Sequence, residues 1–215
     1  MSNETTNPVV KWILIGVIVV SFCVVGACVL FMTPPTKEHR AARELEKRGF
    51  EIEYRRQGFN IWQYPLCVYG ESRNITEDDS QLLCQLLHLR LLQFNHCDLS
   101  GLNLDDVGNC RELTDFTCYD VTQFPVNEIR KLAACPIHEL ILSNVRLSDS
   151  DMEDFAKWTS VGFLILDDNA GITDVVFEHL EKIASLRHLC LTGTSVTKEG
   201  VEEFKKKRPL VDVVF

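Results

Sequence analysis

Leu186-Arg187-His188-Leu189-Cys190-Leu191-Thr192-Gly193-Thr194-Ser195-Val196-Thr197 sets apolar side chains at offsets 0, 3, 5 and 10 and a hydroxyl at offset 11. The spacing recurs upstream. Leu89, Leu92, Phe94, Cys97, Leu99 and Ser100 follow it, as do Ile137, Leu140, Leu142, Val145, Leu147 and Ser148. Two copies depart from it. A copy counted from Arg111 lacks the first apolar residue but continues through Thr114, Phe116, Tyr119, Val121 and Thr122. Another, Val161, Leu164, Leu166 and Asn169, needs one inserted residue before Ile172 and Thr173. Leu210, Val213 and Phe215 form a truncated last copy, so units start at 89, 111, 137, 161, 186 and 210. A period of this size marks a stack of supersecondary units.

Offsets 3 and 5 share one face of a short strand. A single unit cannot bury that face alone, so neighbouring copies stack into one core. The hydroxyl then stands where a helix begins: Thr76, Ser148, Thr173 and Thr197 each precede an acidic or helix-forming run, and their oxygens can cap free N–H groups. Asp79 and Asp151 follow Thr76 and Ser148 at the capping-box distance. Helices are predicted over 77–87, 126–134, 149–158, 174–184 and 198–207, on the convex side. Cys84, Cys97, Cys110 and Cys135 read as small apolar packing residues.

The LxxLxL pattern at this period resembles the leucine-rich-repeat family, over about two-thirds of the chain. That resemblance implies an α/β solenoid with a short parallel sheet on the concave side and helices on the convex side. The repeat style of Gly193 to Phe204, behind one hydrophobic segment, resembles short bacterial membrane-anchored repeat proteins of the planctomycete type.

In this chain of 215 residues, Trp12 to Met32 run without a charge, close to the ~20 residues a helix needs to cross a bilayer core. We expect a transmembrane helix over 12–32, a tail over 1–11, a juxtamembrane linker with a capping helix and strand over 33–63, and the repeat domain over 64–215. Val25-Gly26-Ala27-Cys28 loosely resembles a lipoprotein cleavage site, but the apolar run continues past it through Met32 and is longer than a signal peptide uses. Lys11 precedes the span, whereas Lys37, Arg40, Arg43, Lys47 and Arg48 follow it. That asymmetry favours a single-pass protein with its repeats on the cytoplasmic side; the habit of short-tailed anchors favours the outside. Seven of the nine cysteines lie beyond the span, an odd number that suits a reducing compartment.

Thr33-Pro34-Pro35-Thr36 ends the span. Lys37 to Arg48 then have helical spacing, and Phe50 to Tyr54 alternate apolar and acidic as a half-buried strand does. The basic residues here, mixed with five acidic ones, read as a solvated face. Helix and strand should cap the first repeat, with an irregular extra copy over 61–69, and Phe215 should close the other end. Lys205-Lys206-Lys207-Arg208 should stay wet at a helix C-terminus; the acidic stretch before it argues against a nucleic-acid partner.

The six histidines form no HExxH, no cysteine–histidine spacing suits zinc, and neither GxSxG nor a phosphate-binding GxxxxGK[ST] loop occurs. Glu77-Asp78-Asp79 and Asp167-Asp168 lack the spaced ligands of a calcium loop. No cofactor, metal or small-molecule substrate is expected, and the chain does not read as an enzyme. A remote alternative is a cysteine hydrolase at Cys190 and His188, which alternate on one strand but lack an orienting third group and oxyanion donors.

Strand alternation places offsets 2, 4 and 6 on the concave face. The expected contact residues are Leu91, Leu113, Asp115, Glu139, Ile141, Phe163, Ile165, Asp167, His188 and Cys190, with Leu113, Ile141, Phe163 and Ile165 as an apolar centre. An apolar patch with a polar rim marks an interaction site. The sequence therefore reads as a membrane-anchored module that binds a protein partner through its concave face. The alternative is a structural or regulatory membrane subunit acting by lateral assembly.

Overall fold

A computed structural model describes residues 36–56 and 63–215. Its compact unit runs from Lys37 to Phe215. The expected span at 12–32 lies outside the described residues, among which no helix is long and apolar enough to cross a membrane.

Eight strands form one sheet in chain order: β1 (Glu51–Arg56), β2 (Gln63–Glu71), β3 (Leu91–Asn95), β4 (Asp115–Tyr119), β5 (Glu139–Ser143), β6 (Phe163–Ile165), β7 (His188–Cys190) and β8 (Asp212–Val214). β1 is antiparallel to β2 and every later pair is parallel. The return paths carry α2 (Glu77–Leu83), α3 (Leu104–Val107), 3₁₀ segments at Val126–Ala134 and Asp149–Lys157, α4 (Val176–Leu180) and α5 (Lys198–Lys207). α1 (Lys37–Lys47) precedes the sheet.

Register corrects one repeat. Leu91 stands beside Asp115, which stands beside Glu139, so the copy counted from Arg111 begins at Leu113. Leu113, Phe116 and Cys118 are fully buried. Cys118 holds the offset-5 position because a thiol behaves there as a small hydrophobe; Tyr119, counted among the pattern residues from Arg111, lies on the outward face beside Ser143. Pro65, Val68 and Gly70 supply the irregular first copy, displaced from the expected 61–69, and Ile61 lies outside the described residues. Starts at 65, 89, 113, 137, 161, 186 and 210 are then almost equally spaced.

A second ladder accompanies the first. Ser72, His96, Asp120, Asn144 and Asp168, each just past a strand, have φ between 48° and 58°, and Gly193 continues the series at 71°. This left-handed conformation turns the chain out of the sheet. It costs an ordinary L-residue about 1–2 kcal/mol and is tolerated best by glycine and short polar side chains.

The residue inserted in the copy from Val161 follows Asn169. Asn169 is buried and accepts from the N–H groups of Val145 and Leu147 at 3.1 and 3.0 Å, while its amide donates to the carbonyls of Leu142 and Leu166. It thereby satisfies the preceding turn. Gly171 then passes close to that turn: a Cβ there would stand 2.8 Å from the Leu147 carbonyl oxygen.

The expected capping boxes form at Thr76 with Asp79 and at Ser148 with Asp151. Thr197 caps α5 as expected, its hydroxyl accepting the Gly200 N–H at 3.1 Å, and Thr173 accepts the Val175 N–H at 3.3 Å; the N–H and hydroxyl groups of both also donate to Asp149 and Asp174 of the preceding repeat. The helices over 77–87 and 174–184 stop short, at Leu83 and Leu180, and α3 was not foreseen. At 126–134 and 149–157 the turns are 3₁₀, which rises ~2.0 Å per residue and crosses the convex side with fewer residues than an α-helix.

α1 buries Ala41, Ala42 and Leu45 against the first repeat. Its Glu38 accepts from the His88 N–H at 3.0 Å and faces the His88 ring at 3.0 Å. Arg48 stays exposed, as expected of this basic face, and also pairs with Asp79 at 2.9 Å. Arg73 donates to the carbonyls of Arg48 and Gly49 and lies over the Phe50 ring. At the other end Phe215 does not close the core, because it is 49% exposed and Leu210 is 80% exposed; Val201, Phe204, Val211 and Val213 form the last buried layer. Arg208 also departs from expectation. It donates to the carbonyls of Glu181 and Ile183 at 2.7 and 3.0 Å, covering the end of the α4 turn.

Asn169→Ala leaves two N–H donors of the neighbouring repeat unsatisfied, and we predict a loss of at least about 2 kcal/mol in urea unfolding. A change under about 0.5 kcal/mol would refute the role assigned to Asn169. Gly193→Ala forces an L side chain to positive φ against the Asp168 carboxylate and should cost about 1–2 kcal/mol in the same measurement.

Candidate functional site on the concave sheet face

Alternation along each strand sends one set of side chains into the core and the other onto the open face. Parallel pairing arranges the outward set in rows that cross the sheet. The first row runs Cys67, Leu91, Asp115, Glu139, Phe163, His188 and Asp212. The second is Tyr69, Gln93, Thr117, Ile141, Ile165, Cys190 and Val214. The third includes Glu71, Asn95, Tyr119 and Ser143, and Asp167 follows at the end of β6.

Leu91, Asp115, Glu139, Phe163 and His188 thus share a row, and Ile141, Ile165 and Cys190 the next. Leu113 belongs to neither. It is fully buried two residues before Asp115, the position the shifted register had assigned to it. Ile141 is on the face but only 6% exposed, because Thr117 and Ile165 flank it at the inter-strand distance of about 4.8 Å. The apolar centre therefore contracts from four residues to Phe163 and Ile165, both half-buried. Tyr69, Tyr119 and Cys67 belong to the face and were not singled out; a correct register for the third copy would have identified Tyr119.

The face is electrostatically one-sided. Burial, and then the neighbouring Asp115 carboxylate, holds Glu139 above the usual carboxylate range. Tyr119 is raised by burial and then by Glu139 and Asp167. Tyr69 is pushed up to about 12 by burial, Cys67 and Glu53. The Asp167 carboxylate accepts the Thr192 N–H at 2.9 Å.

His188 and Cys190 do not form a nucleophilic pair. The His188 ring stacks on Phe163 with centroids 4.4 Å apart, and its Nδ1 lies 3.1 Å from Asp212. The Cys190 thiol meets the Thr192 hydroxyl at 3.4 Å. Burial holds that thiol above its ordinary range, the reverse of the shift that makes a reactive thiolate. Among the described residues no group of three or more His, Cys, Asp or Glu side chains is arranged to hold a metal ion.

Near-equal repeats, a parallel sheet in strict chain order, left-handed turns after the strands and an inward asparagine satisfying its neighbour's turn together define the architecture. This is a leucine-rich-repeat solenoid. No family model matches the chain, and no curated protein matches it by sequence. Solved structures do. A leucine-rich-repeat protein of Leptospira interrogans is 20% identical with a TM-score of 0.46, over 63% of this chain and 33% of that one. An internalin of Listeria monocytogenes is 15% identical with a TM-score of 0.42, over 68% of this chain and 46% of that one. The leucine-rich-repeat ectodomain of the Arabidopsis thaliana receptor kinase SOBIR1 is 15% identical with a TM-score of 0.45, over 75% of this chain and 95% of that one. The chain thus spans less than half the length of the first two.

Because burial disfavours the thiolate of Cys190, its alkylation by iodoacetamide at neutral pH should be slower than that of a free cysteine. The rate should rise with a midpoint above the ordinary thiol range. Peptide-level mass spectrometry reads both, and fast reaction at pH 7 would restore the nucleophile hypothesis.

Proposed function

We propose that this chain is a protein-binding module that works from the concave face of its repeats, held at a membrane by residues 12–32 with the repeats on the cytoplasmic side. The observation that carries the binding reading is the pair Phe163 and Ile165, successive outward residues of β6 left half-buried, with the polar Glu139 and His188 on either side of Phe163. Apolar side chains presented in this way mark interaction surfaces. α1 packs beside β1, β2 and α2, at the first-repeat end and away from this pair. Anchoring rests on the uncharged length of 12–32, and orientation on the five basic residues that follow it.

A photo-crosslinking amino acid at position 163 should join the chain to a protein partner in cells, and one at exposed Lys182 on the convex side should not. The double variant Phe163→Asp, Ile165→Asp should abolish capture while circular dichroism and the melting temperature stay within the range of surface substitutions. Retained capture, or unfolding of the variant, would reject the concave-face assignment. For orientation, Lys206→Cys as the reactive thiol should be protected from an impermeant maleimide until cells are lysed; labelling of intact cells would put the repeats outside.

A further inference from the structure

We infer that the concave face takes a cationic peptide segment, with Lys or Arg side chains over Asp115 and Glu139 and an apolar side chain against Phe163 and Ile165. The inference rests on the binding role proposed for this face and names the chemistry of its partner.

From β2 to β8 the three outward rows carry carboxylates on Glu71, Asp115, Glu139 and Asp212, with Asp167 just past β6, and no Lys or Arg. The one base in these rows, His188, is engaged by Asp212. On β1, Glu51 and Glu53 add to the same sign beside Tyr69 and Cys67, while Arg55 lies beyond the bulge, alongside Tyr64.

Asp115 and Glu139 are direct partners on adjacent parallel strands. Like charges so placed destabilise a sheet, and here both side chains are partly buried. The influences on Glu139 are burial and Asp115, with no cation among them. Among the described residues Asp115 accepts from a neutral donor, the Thr114 hydroxyl at 2.6 Å. A repulsive pair that no described cation relieves is complementary to a positive charge brought from outside. Phe163 is the next residue in that row.

The spacing suits an extended chain crossing the strands. The middle of the Asp115–Glu139 pair lies about one and a half strand separations, roughly 7 Å, from Phe163, and an extended peptide sets residues i and i+2 about 6.6–6.8 Å apart on one face. A Lys or Arg two residues from a Leu, Ile or Val therefore meets both features at once. Acidic ligands, phosphate backbones included, meet like charge throughout.

The test uses the purified full chain and two fluorescein-labelled peptides, one repeating Lys-Ser-Leu-Ser and one repeating Glu-Ser-Leu-Ser, read by fluorescence anisotropy. The Lys peptide should bind at least about tenfold more tightly than the Glu peptide, and its binding should weaken as salt rises. Asp115→Asn with Glu139→Gln should weaken it about tenfold while leaving the unfolding midpoint equal or higher, because removing like-charge repulsion relieves the fold. That opposite movement of binding and stability is what a merely structural role would not produce. Equal binding of the two peptides, or unchanged binding by the neutralised variant, overturns the cationic assignment. If crosslinking at position 163 persists and is lost in the Phe163→Asp, Ile165→Asp variant, the binding face stands with a different partner chemistry; if crosslinking also fails, the binding face falls with it.

Discussion

Contact between one repeat and the next is the interaction on which the rest of this molecule depends. Val68, Leu92, Phe116, Leu140, Leu164, Leu189 and Val213 are successive partners along the sheet, and each is buried. None could be buried within its own unit, because a single short strand has one inward face and nothing opposite it. At about 25 cal/mol per Å² of apolar area removed from water, such a ladder is where the favourable free energy of the fold resides. Small deviations from the period are absorbed locally, as at Ala170-Gly171, where Gly171 passes close to the Leu147 carbonyl.

Stacking of this kind also sets a polar requirement. Each turn that leaves the sheet brings backbone N–H and C=O groups into the interior, and these must find partners. Neighbouring repeats provide many of them. Asn169 holds the turn at Val145 and Leu147, Asp149 holds Thr173, and Asp174 holds Thr197. Adjacent units are thus tied by directional bonds as well as by apolar contact. The two ends of the stack differ: α1, Arg48 and Arg73 cover the first repeat, whereas Leu210, Val214 and Phe215 leave apolar surface open at the last.

The concave face reverses the logic of the core. Its rows come from the same register, but their side chains are free of the stacking requirement, and the chain uses that freedom for charge of one sign around an aromatic centre. Asp115 beside Glu139 does not help a sheet to form. The stacking of His188 on Phe163 and its approach to Asp212 hold the imidazole away from the Cys190 thiol. Two residues whose types suggest catalysis are thereby committed to other contacts.

Periodicity along the chain was enough to reveal the solenoid, because offsets 3 and 5 repeat wherever a short strand must bury one face, and the hydroxyl before each helix is a local requirement of its first turn. Thr76 with Asp79 and Ser148 with Asp151 were legible for that reason, as was the row containing Leu91, Glu139, Phe163 and His188. What the sequence could not resolve was the copy in which Arg111 and Leu113 compete for the first position. Both alignments place apolar or aromatic residues at most offsets, and only pairing with β3 and β5 decides that Leu113 is core and Asp115 faces out. A shift of two keeps the inward and outward parity, so alternation alone does not detect it. The burial of Ile141, the pairing of Arg48 with Asp79 and the commitment of Arg208 to the Glu181 and Ile183 carbonyls just past α4 likewise depend on residues distant along the chain. Local pattern determines which units form; contact between units determines which side chains remain available.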